Sequence, residues 1–414
     1  MAIQISDVSN ALEKVIMPFI QDNFEKSTIL LDQVKRNQGV TFMNDNFYAP
    51  IRTSRHGGIT NLADDGNTLV SGKASIGQAS VGVKLLTGTF DISKLVLDAT
   101  KTARGAVENQ LTFQATTLAS DFSKDVNRQM YSDGIGAIGQ VGGSVGAGTI
   151  GLTYKDANLD DGRSLDNYGS VNGDIAPGKY IQPGQVLGVG TAAADLGTVS
   201  TVSGTTVVVT GAPAIAANDT IYRVDGSGEG AGTAEITGVR AALSSSTGAS
   251  TYAAVARSTY GWTPQLGTTS EALTLSAMED KYLAAREYAQ NGDRYAIFVN
   301  KTLYKKYGDI LTSMRRSVDE TELIGGWKGL KFAAGGGEVG VFLDYDVPDG
   351  EVLILNLDSF TICQVSDMGW LDDPKAGSLV RRRDAITYQA TMAWFMNLIC
   401  LAPAANGRLT QKTA

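Results

Sequence analysis

Histidine is almost missing from this chain of 414 residues, which holds one histidine, two cysteines and nine prolines. Catalytic triads and histidine-based zinc sites need an imidazole beside a nucleophile or beside further ligands. The single histidine, His56, lies between an arginine and a glycine in a polar stretch, and we interpret it as an exposed loop residue. Because the carboxylates are also scattered, the sequence argues against an enzyme, and we predict no catalytic residue, metal or cofactor.

Paired cysteines and long apolar runs are lacking too. Cys363 and Cys400 each lie in an apolar run, which favours buried free thiols over a disulfide framework. No apolar run approaches the ~20 residues needed to span a bilayer, and we predict no membrane partner. The stretch MAIQISDVSNALEK lacks the basic start and the apolar segment of a signal peptide. We therefore expect the protein to be made in a cytoplasm, without removal of an N-terminal pro-segment.

Basic residues are the scarcer charge, with 35 against 43 acidic ones, which gives a formal net charge of −8. Such a chain is not a nucleic-acid-binding protein of the usual basic kind. The imbalance is local: residues 150–235 carry four basic and ten acidic side chains, whereas residues 375–414 carry six basic and one acidic. The length is enough for two or three packed units.

Two motifs that could bind ligands do not meet the structural requirements. A G-x-G-x-x-G run follows a helical pattern and precedes a β region, whereas a nucleotide fingerprint follows a strand and opens a helix. Its glycines are Gly146, Gly148 and Gly151. Asp156–Asn167 matches the first three ligand positions of an EF-hand loop, but aspartate replaces the central glycine and asparagine the final glutamate. We favour a solvated acidic loop there, with calcium left open.

Hydrophobic periodicity predicts helices at three places. Residues 7–37 have apolar positions at helical spacing and a kink at Pro18. The strongest pattern covers residues 104–132, where apolar residues recur every three or four positions until Gly134. A third helix is expected over 271–290.

The remaining segments read as β structure. Residues 45–90 are polar and punctuated by glycine, which suits a long exposed hairpin with little core of its own. Short β runs fill residues 152–235, and GTVSTVSGTTVVVTG predicts two strands around Ser203-Gly204. An apolar strand-like run ends the chain at 380–402. It starts with three arginines, Arg381 to Arg383, which suit either phosphate or ion pairs with neighbouring carboxylates.

The order of these segments resembles that of the major capsid proteins of tailed bacteriophages. The phrases GVRAALSSSTGASTYAAVARSTYGWTP, RYAIFVNKTLYKKYG and MAWFMNLICLAPAANGRL also look similar to that family. The resemblance implies an α+β, Hong Kong 97-like capsid fold with seven segments. These are an N-terminal arm (1–45), an extended loop (46–90), a peripheral domain with a spine helix (91–150), an inserted small β domain (151–235), a return to the peripheral domain (236–264), an axial domain (265–379), and a return strand with C-terminal tail (380–414).

The resemblance also implies a function without chemistry. The subunit would assemble with itself into pentamers and hexamers of an icosahedral shell around packaged double-stranded DNA, in the host cytoplasm, and reside in the virion. Scaffold, portal and decoration proteins are further implied partners. We expect contacts between subunits at apolar arm positions and at basic residues of the extended loop, namely Leu12, Val15, Phe19, Arg52, Arg55 and Lys73. The acidic insertion is expected on the outer face, away from the DNA.

One property of some family members is not carried over. They join a lysine of the extended loop covalently to an asparagine near the C-terminus, with the help of a glutamate. Lys73 is the single lysine between Asp45 and Val83, and Asn397 and Asn406 lie near the end, but no acidic residue follows position 384. We therefore expect non-covalent cohesion.

Two other functions remain open from the sequence. An encapsulin-like nanocompartment shell would share the fold and hold protein cargo instead of DNA. A β-rich extracellular surface protein or adhesin belongs to another class, and the long helix at 104–132 and the lack of a signal peptide count against it.

Overall fold

The structure of the protein is a computed structural model, and the statements below concern the residues that it describes. These are 29–37, 39–59, 61, 71–94, 104–134, 136–142, 148–152, 180–189, 194–203, 206–210, 219–223, 235–244, 250–290, 293–313, 320–322, 328–334, 337–371, 379–382 and 386–414. The loop considered for calcium, Asp156–Asn167, lies outside them.

The described residues form helices and strands in the following order. The α-helices are α1 Ile29–Gln33, α2 Arg104–Tyr131, α3 Val239–Ala242, α4 Leu275–Arg286 and α5 Lys301–Ser313, and 3-10 turns lie at Leu357–Ser359 and Pro403–Ala405. The strands are β1 Lys35–Arg36, β2 Thr41–Met43, β3 Asn46–Arg52, β4 Ile76–Gly82, β5 Lys84–Ser93, β6 Ala137–Gln140, β7 Thr149–Gly151, β8 Val186–Val189, β9 Ala194–Ser203, β10 Thr206–Thr210, β11 Thr220–Arg223, β12 Thr251–Tyr252, β13 Val255–Ala256, β14 Gln265–Gly267, β15 Glu271–Ala272, β16 Tyr295–Val299, β17 Glu320–Glu322, β18 Lys328–Ala334, β19 Gly337–Leu343, β20 Val352–Asn356, β21 Phe360–Gln364, β22 Gly369–Trp370, β23 Val380–Arg381, β24 Thr387–Cys400, β25 Gly407–Leu409 and β26 Lys412–Thr413.

The predicted long helix is confirmed as α2, which has 28 residues. Its buried side chains recur every three or four positions, as an amphipathic helix requires; they include Ala115, Ala119, Phe122, Val126 and Met130. The chain turns away after the helix at Gly134, whose φ of +86° is a backbone conformation that favours glycine.

The chain divides into two compact units. The first contains residues 83–128 and 364–396 together with 29–33. Its centre is a long antiparallel pairing of β5 with β24, in which Lys84 faces Met396 and Ser93 faces Thr387. Gly88 of β5 lies against Leu118 and Phe122 of α2, where a Cβ on the strand would lie only 3.0 and 3.3 Å from these side chains. The predicted return strand is present as β24, which starts at Thr387, and β23 before it folds back as an antiparallel neighbour of β24.

The second unit contains residues 34–82, 129–363 and 397–414. Its main sheet has seven strands in the order β14-β25-β20-β16-β19-β18-β17. Every residue of β16 and β20 is buried, which is why both strands read as continuous apolar runs instead of alternating ones. Residues of α4 and α5, among them Tyr282 and Leu303, pack into the same core as Ile297 of β16.

The predicted helix at 271–290 is too long at both ends. Helix α4 starts after Thr274, whose hydroxyl accepts a hydrogen bond from the Ala277 N–H at 3.3 Å. The residues before this cap, β15, pair in parallel with β26 near the C-terminus. The periodicity could not reveal this pairing, because the partner strand lies about 140 residues further along the chain.

Residues 380–414 were expected to form a return strand and a C-terminal tail, but the last residues form strands β25 and β26 of the second unit instead of a tail. Strand β25 is inserted between β14, its parallel neighbour, and β20, its antiparallel neighbour. Arg408 and Lys412 are each 1% exposed. The five polar residues of NGRLTQK gave no sign of strands whose charged side chains are buried inside the fold.

The inserted β domain begins earlier than its predicted start at 151. Strands β6 to β11 form one antiparallel sheet in the order β6-β11-β8-β9-β10-β7. A bridge between Val141 and Leu152 joins the two outer strands, so that the sheet closes into a barrel. Ten aliphatic side chains, among them Ile150, Leu187 and Val207, form its separate core. The two strands predicted around Ser203-Gly204 are confirmed as β9 and β10.

The described end of the glycine-rich run lies within the barrel, at strand β7, and its backbone accounts for the glycines. Gly148 has a φ of +82°, and a side chain there would meet the Val209 carbonyl at 2.9 Å. The Val209 N–H donates a hydrogen bond to the Gly148 carbonyl at 2.7 Å. The glycines at 148 and 151 thus serve strand pairing in the barrel, as expected for a run that is not a nucleotide fingerprint.

Candidate assembly surfaces

The predicted extended loop contains a β-hairpin, residues 46–82, hereafter the hairpin. Strands β3 and β4 pair over seven residues, from Asn46 opposite Gly82 to Arg52 opposite Ile76. Strand β2 adds a third strand through the two-residue turn Asn44-Asp45, in which both φ angles are positive, at +48° and +60°. That geometry is a type I′ turn, for which asparagine and aspartate are suited.

The extended loop was predicted to cover 46–90 and to have little core of its own. The hairpin instead ends at Gly82 and has buried side chains on one face. On its inner face the side chains are buried, with Phe47 and Ala49 of β3 exposed by 1% and 0%. Residues 84–90 belong to β5 of the other unit. The alternation of buried and exposed residues along β3 was obscured in the sequence by tyrosine and proline on the outer face.

The outer face of the hairpin is apolar and open. Met43, Tyr48, Pro50 and Ile76 line a shallow groove there. Ile76 is 80% exposed and Met43 55% exposed. An exposed isoleucine and an exposed methionine that line one groove mark a surface suited to contact with another molecule.

Residues 250–262, hereafter the platform, hold the hairpin from within the same unit. The Ser80 N–H of β4 donates to the Ala253 carbonyl at 2.9 Å. Ala253 and Ala254 form the turn between β12 and β13 with positive φ angles of +49° and +63°. Alanine rarely adopts this conformation, and it persists where the surroundings enforce it. At the base of the hairpin, Asn397 Nδ2 donates to the Gly82 carbonyl at 2.6 Å.

A buried arginine, Arg257, joins the platform to the neighbouring residues 241–244. Arg257 donates from Nη1 to the Ala242 carbonyl and from Nη2 to the Ala241 carbonyl, both at 2.6 Å. Its guanidinium lies 5.1 Å from the centre of the Tyr252 ring. Burial lowers the pKa of Arg257, and the Trp262 indole N–H fixes the turn by donating to the Tyr252 carbonyl at 3.1 Å.

The predicted basic contact residues have different environments. Arg55 donates a hydrogen bond to the Tyr260 hydroxyl of the platform, and its guanidinium lies 5.0 Å from the centre of that ring. Arg52 donates to the Ser54 carbonyl at 3.0 Å, and Lys73 is exposed beside the end of β4. Their contacts with another subunit remain a prediction. The arm positions are outside the described residues; these are Leu12, Val15 and Phe19.

Three buried charged residues, hereafter the Glu351 cluster, lie in the second unit beside strands β20 and β25. Glu351 receives two hydrogen bonds from Arg408, at 2.7 and 3.0 Å, and Arg240 Nη2 lies 3.0 Å from Glu351 Oε1. The three residues are 2%, 1% and 0% exposed in the order Glu351, Arg408, Arg240. Burial by itself raises the pKa of Glu351, but Arg240 and then Arg408 outweigh it, so the pKa lies below its usual value.

Two further basic residues near the C-terminus, Lys412 and Arg382, also have carboxylate partners. Lys412 Nζ lies 2.7 Å from Glu271. Arg382 Nη1 lies 3.2 Å from Asp91. The reading of the arginine run as ion pairs is confirmed for Arg382. Arg383 lies outside the described residues.

The two asparagines considered for a crosslink are internal. Asn397 is 0% exposed, and its Oδ1 accepts from the Thr237 N–H at 2.8 Å. Asn406 is also 0% exposed, and its Oδ1 accepts from the Asn356 N–H at 2.7 Å. Both amides are therefore part of the packed fold, where an incoming lysine has no access.

The thiols behave as small buried hydrophobes, as predicted. Both are 0% exposed and free. Burial raises the pKa of Cys363 to about 12 and that of Cys400 to about 12. Among the residues described here, no group of three or more histidines, cysteines or carboxylates could hold a metal ion. Within the same residues, no helix is both long and apolar enough to cross a membrane.

Sequence reasoning missed the platform and the Glu351 cluster. The contacts that define them join residues far apart in the chain, such as Arg55 and Tyr260, which are 205 positions apart. The platform lies in a phrase that the sequence singled out, STYAAVARSTYGWTP, but only for its resemblance. Its Ala253-Ala254 turn carries none of the glycine or asparagine that signals such a turn.

Comparison with known proteins reveals similarity in structure alone. No protein-family model matches the sequence, and no curated protein matches it. Three solved structures cover nearly the whole chain. The capsid asymmetric unit of Cyanophage A-1(L) is 12% identical, with 94% of each chain covered and a TM-score of 0.52. A capsid of a native GTA particle is 11% identical, with 94% of each chain covered and a TM-score of 0.44. A virus-like particle from Pyrococcus furiosus is 9% identical, with 96% and 98% covered and a TM-score of 0.41.

We base the fold assignment on the first of these three, which has the highest TM-score. The resemblance seen in the sequence is thereby confirmed at the level of the fold. The chain combines helices and sheets in the fold of a phage capsid protein.

Proposed function

We propose that the protein is the major capsid protein of a tailed phage, a structural subunit that assembles with itself into pentamers and hexamers. These would form an icosahedral shell, built in the host cytoplasm, around double-stranded DNA. The observation that carries the proposal is the likeness to the Cyanophage A-1(L) capsid over 94% of both chains. A match of that extent includes the hairpin and both units, instead of one shared domain.

The hairpin supplies the first surface for a second copy of the chain. Its outer face presents Met43 and Ile76 to solvent, 55% and 80% exposed. Burying exposed apolar side chains contributes roughly 25 cal/mol per Å², and a stable contact buries ~1,600 Å² in total. Arg52 and Lys73 flank this face and are available for ion pairs with an acidic neighbour. Each such exposed pair is worth ~0–1 kcal/mol, so the apolar face supplies most of the free energy.

Cohesion between subunits is non-covalent in this proposal. The supporting observation is the engagement of Asn397 and Asn406 in buried hydrogen bonds. Lys73 is exposed, but no accessible asparagine near the C-terminus can receive it.

The barrel is proposed to lie on the outer face of the shell. Its segment, 150–235, carries ten acidic and four basic residues, and an acidic surface near DNA is repelled within ~8–10 Å at physiological salt. The positive charge of the C-terminal segment is not an argument that this segment faces the DNA, because Arg408 and Lys412 form ion pairs within the protein. The proposal for the barrel therefore rests on its own charge.

A single substitution on the hairpin tests the proposal. Ile76→Asp places a charge in the apolar groove without changing the buried inner face. We expect the variant to stay folded by circular dichroism and to form no shells in negative-stain images. Val186→Asp changes an apolar residue that is 41% exposed on the barrel and serves as the matched control, with shells expected. Shells of normal yield from Ile76→Asp would overturn the role of the hairpin.

A further inference from the structure

The tip of the hairpin has few contacts of its own. Beyond β3 and β4, the described tip residues 53–59 and 71–75 are exposed or half-buried. The Thr53 N–H donates to the Ser75 carbonyl at 2.9 Å, and the Ser75 N–H to the Ser54 hydroxyl at 2.9 Å. These bonds join the two sides of the tip to each other. They do not fix its position relative to the rest of the unit.

Among the described tip residues, Arg55 has a side-chain contact with the platform. Its guanidinium donates to the Tyr260 hydroxyl and lies over the same ring, with its centre 5.0 Å away. Tyr260 is supported in turn by Tyr288, whose ring centre lies 6.1 Å away. Tyr260 belongs to the platform, in which the buried side chains of Arg257 and Trp262 are hydrogen-bonded to backbone carbonyls.

This contact differs in strength from those at the base of the hairpin. The bonds of Gly82 and Ser80 belong to backbone next to buried residues, where opening requires unpacking of the inner face. Tyr260 and Tyr288 are 49% and 39% exposed, and Arg55 is exposed as well. Water can replace either partner of an exposed cation–aromatic contact, so it opens and closes easily.

We propose that Arg55 and Tyr260 form a same-chain latch, which holds the hairpin tip on the platform in the free subunit and opens when the hairpin engages a second copy of the chain. The inference rests on the proposed assembly function. The latch gives Arg55 a partner within the subunit and makes it available to the neighbour only after release. It also keeps the tip from sampling other positions before the neighbour arrives.

The latch is tested first in the free subunit, by trypsin cleavage after Lys73. That bond lies in the tip and is present in every variant used. Tyr260→Ala removes the ring and the hydroxyl and is expected to raise the cleavage rate about tenfold, which is the combined effect of an exposed cation–aromatic contact and one hydrogen bond. Tyr260→Phe keeps the ring, and an intermediate rate is expected. Arg381→Ala removes an exposed arginine of the other unit and is the control, with the wild-type rate expected.

The second measurement is the rate of shell assembly by light scattering at equal protein concentration. Because Tyr260→Ala leaves Arg55 in place for the neighbour, a latch predicts faster assembly than in the wild type. Unchanged cleavage after Lys73 in Tyr260→Ala would overturn the latch. Faster cleavage combined with slower assembly in Tyr260→Ala would also overturn the latch, because the contact between Arg55 and Tyr260 would then be needed in the assembled shell as well. A wild-type chain that forms no shells would contradict the proposed function itself, and the opening step with it, whichever way the cleavage rates fall.

Discussion

The Glu351 cluster allows a quantitative test of how the second unit is held together. Glu351→Gln keeps the shape of the side chain and removes the negative charge that pairs with Arg240 and Arg408, which are 0% and 1% exposed. Removing one partner of a buried ion pair costs about 3–5 kcal/mol, because the remaining charge stays buried without compensation. Domains are stable by only about 5–15 kcal/mol, so the loss is a large fraction of the total.

The chain offers a matched control on its surface. Asp91 and Arg382 form an ion pair at 3.2 Å with side chains 38% and 59% exposed, and Asp91→Asn makes the same chemical change there. An exposed pair of this kind is worth about 0–1 kcal/mol. The two substitutions therefore differ in burial and not in the type of interaction that is lost.

Urea unfolding of the dissociated subunit, followed by tryptophan fluorescence, measures both effects. With a slope of about 2–3 kcal/mol per M, Glu351→Gln should lower the midpoint of the second unit by about 1–2.5 M, whereas Asp91→Asn should leave the midpoints nearly unchanged. Equal, small shifts for the two variants would refute the view that this cluster secures strand β25 in the sheet.

Three further outcomes are expected. The pKa of Glu351 in the folded protein lies below its unfolded value, so its contribution to stability is present above the unfolded pKa and is lost as the pH falls through the folded pKa. The urea midpoint should therefore fall more steeply with decreasing pH in the wild type than in Glu351→Gln. Parallel curves for the two proteins would contradict this. Burial raises the pKa of both thiols to about 12, so a thiol-reactive dye should label neither cysteine in the native protein and both in denaturant, and rapid native labelling would show that the sites are open. Deletion of 407–414 removes strand β25 from inside the seven-stranded sheet and should yield protein that is insoluble, or unfolded by circular dichroism. Deletion of the exposed Ala414 alone should leave the protein folded. A folded chain without 407–414 would show that β25 is dispensable.

Elements whose pattern is local could be predicted from the sequence. Helix α2 is an uninterrupted amphipathic segment, so its periodicity alone placed its ends within one residue of the structure. Strands β9 and β10 were recognisable because β-branched residues alternate around a short turn. The fold as a whole was reached from the order of such segments.

Elements that depend on distant partners could not be predicted in this way. Strand β25 contains a buried arginine, Arg408, whose burial is compensated by the Glu351 carboxylate and the Leu243 carbonyl, both distant in the sequence. The barrel includes glycine-rich strands before its predicted start, because closure through Val141 and Leu152 compensates for their poor strand propensity. The platform depends on Arg257, whose hydrogen bonds to backbone carbonyls leave no trace in the sequence.

The most direct test of the proposed function is negative-stain electron microscopy of the purified full-length protein. A shell-forming capsid subunit predicts closed particles of uniform diameter, and particles recovered from the producing cells should contain nuclease-protected DNA. Closed shells filled with protein and free of DNA would point to the nanocompartment alternative. A protein that stays monomeric at every concentration and salt tested, with no shells in the images, would contradict the account.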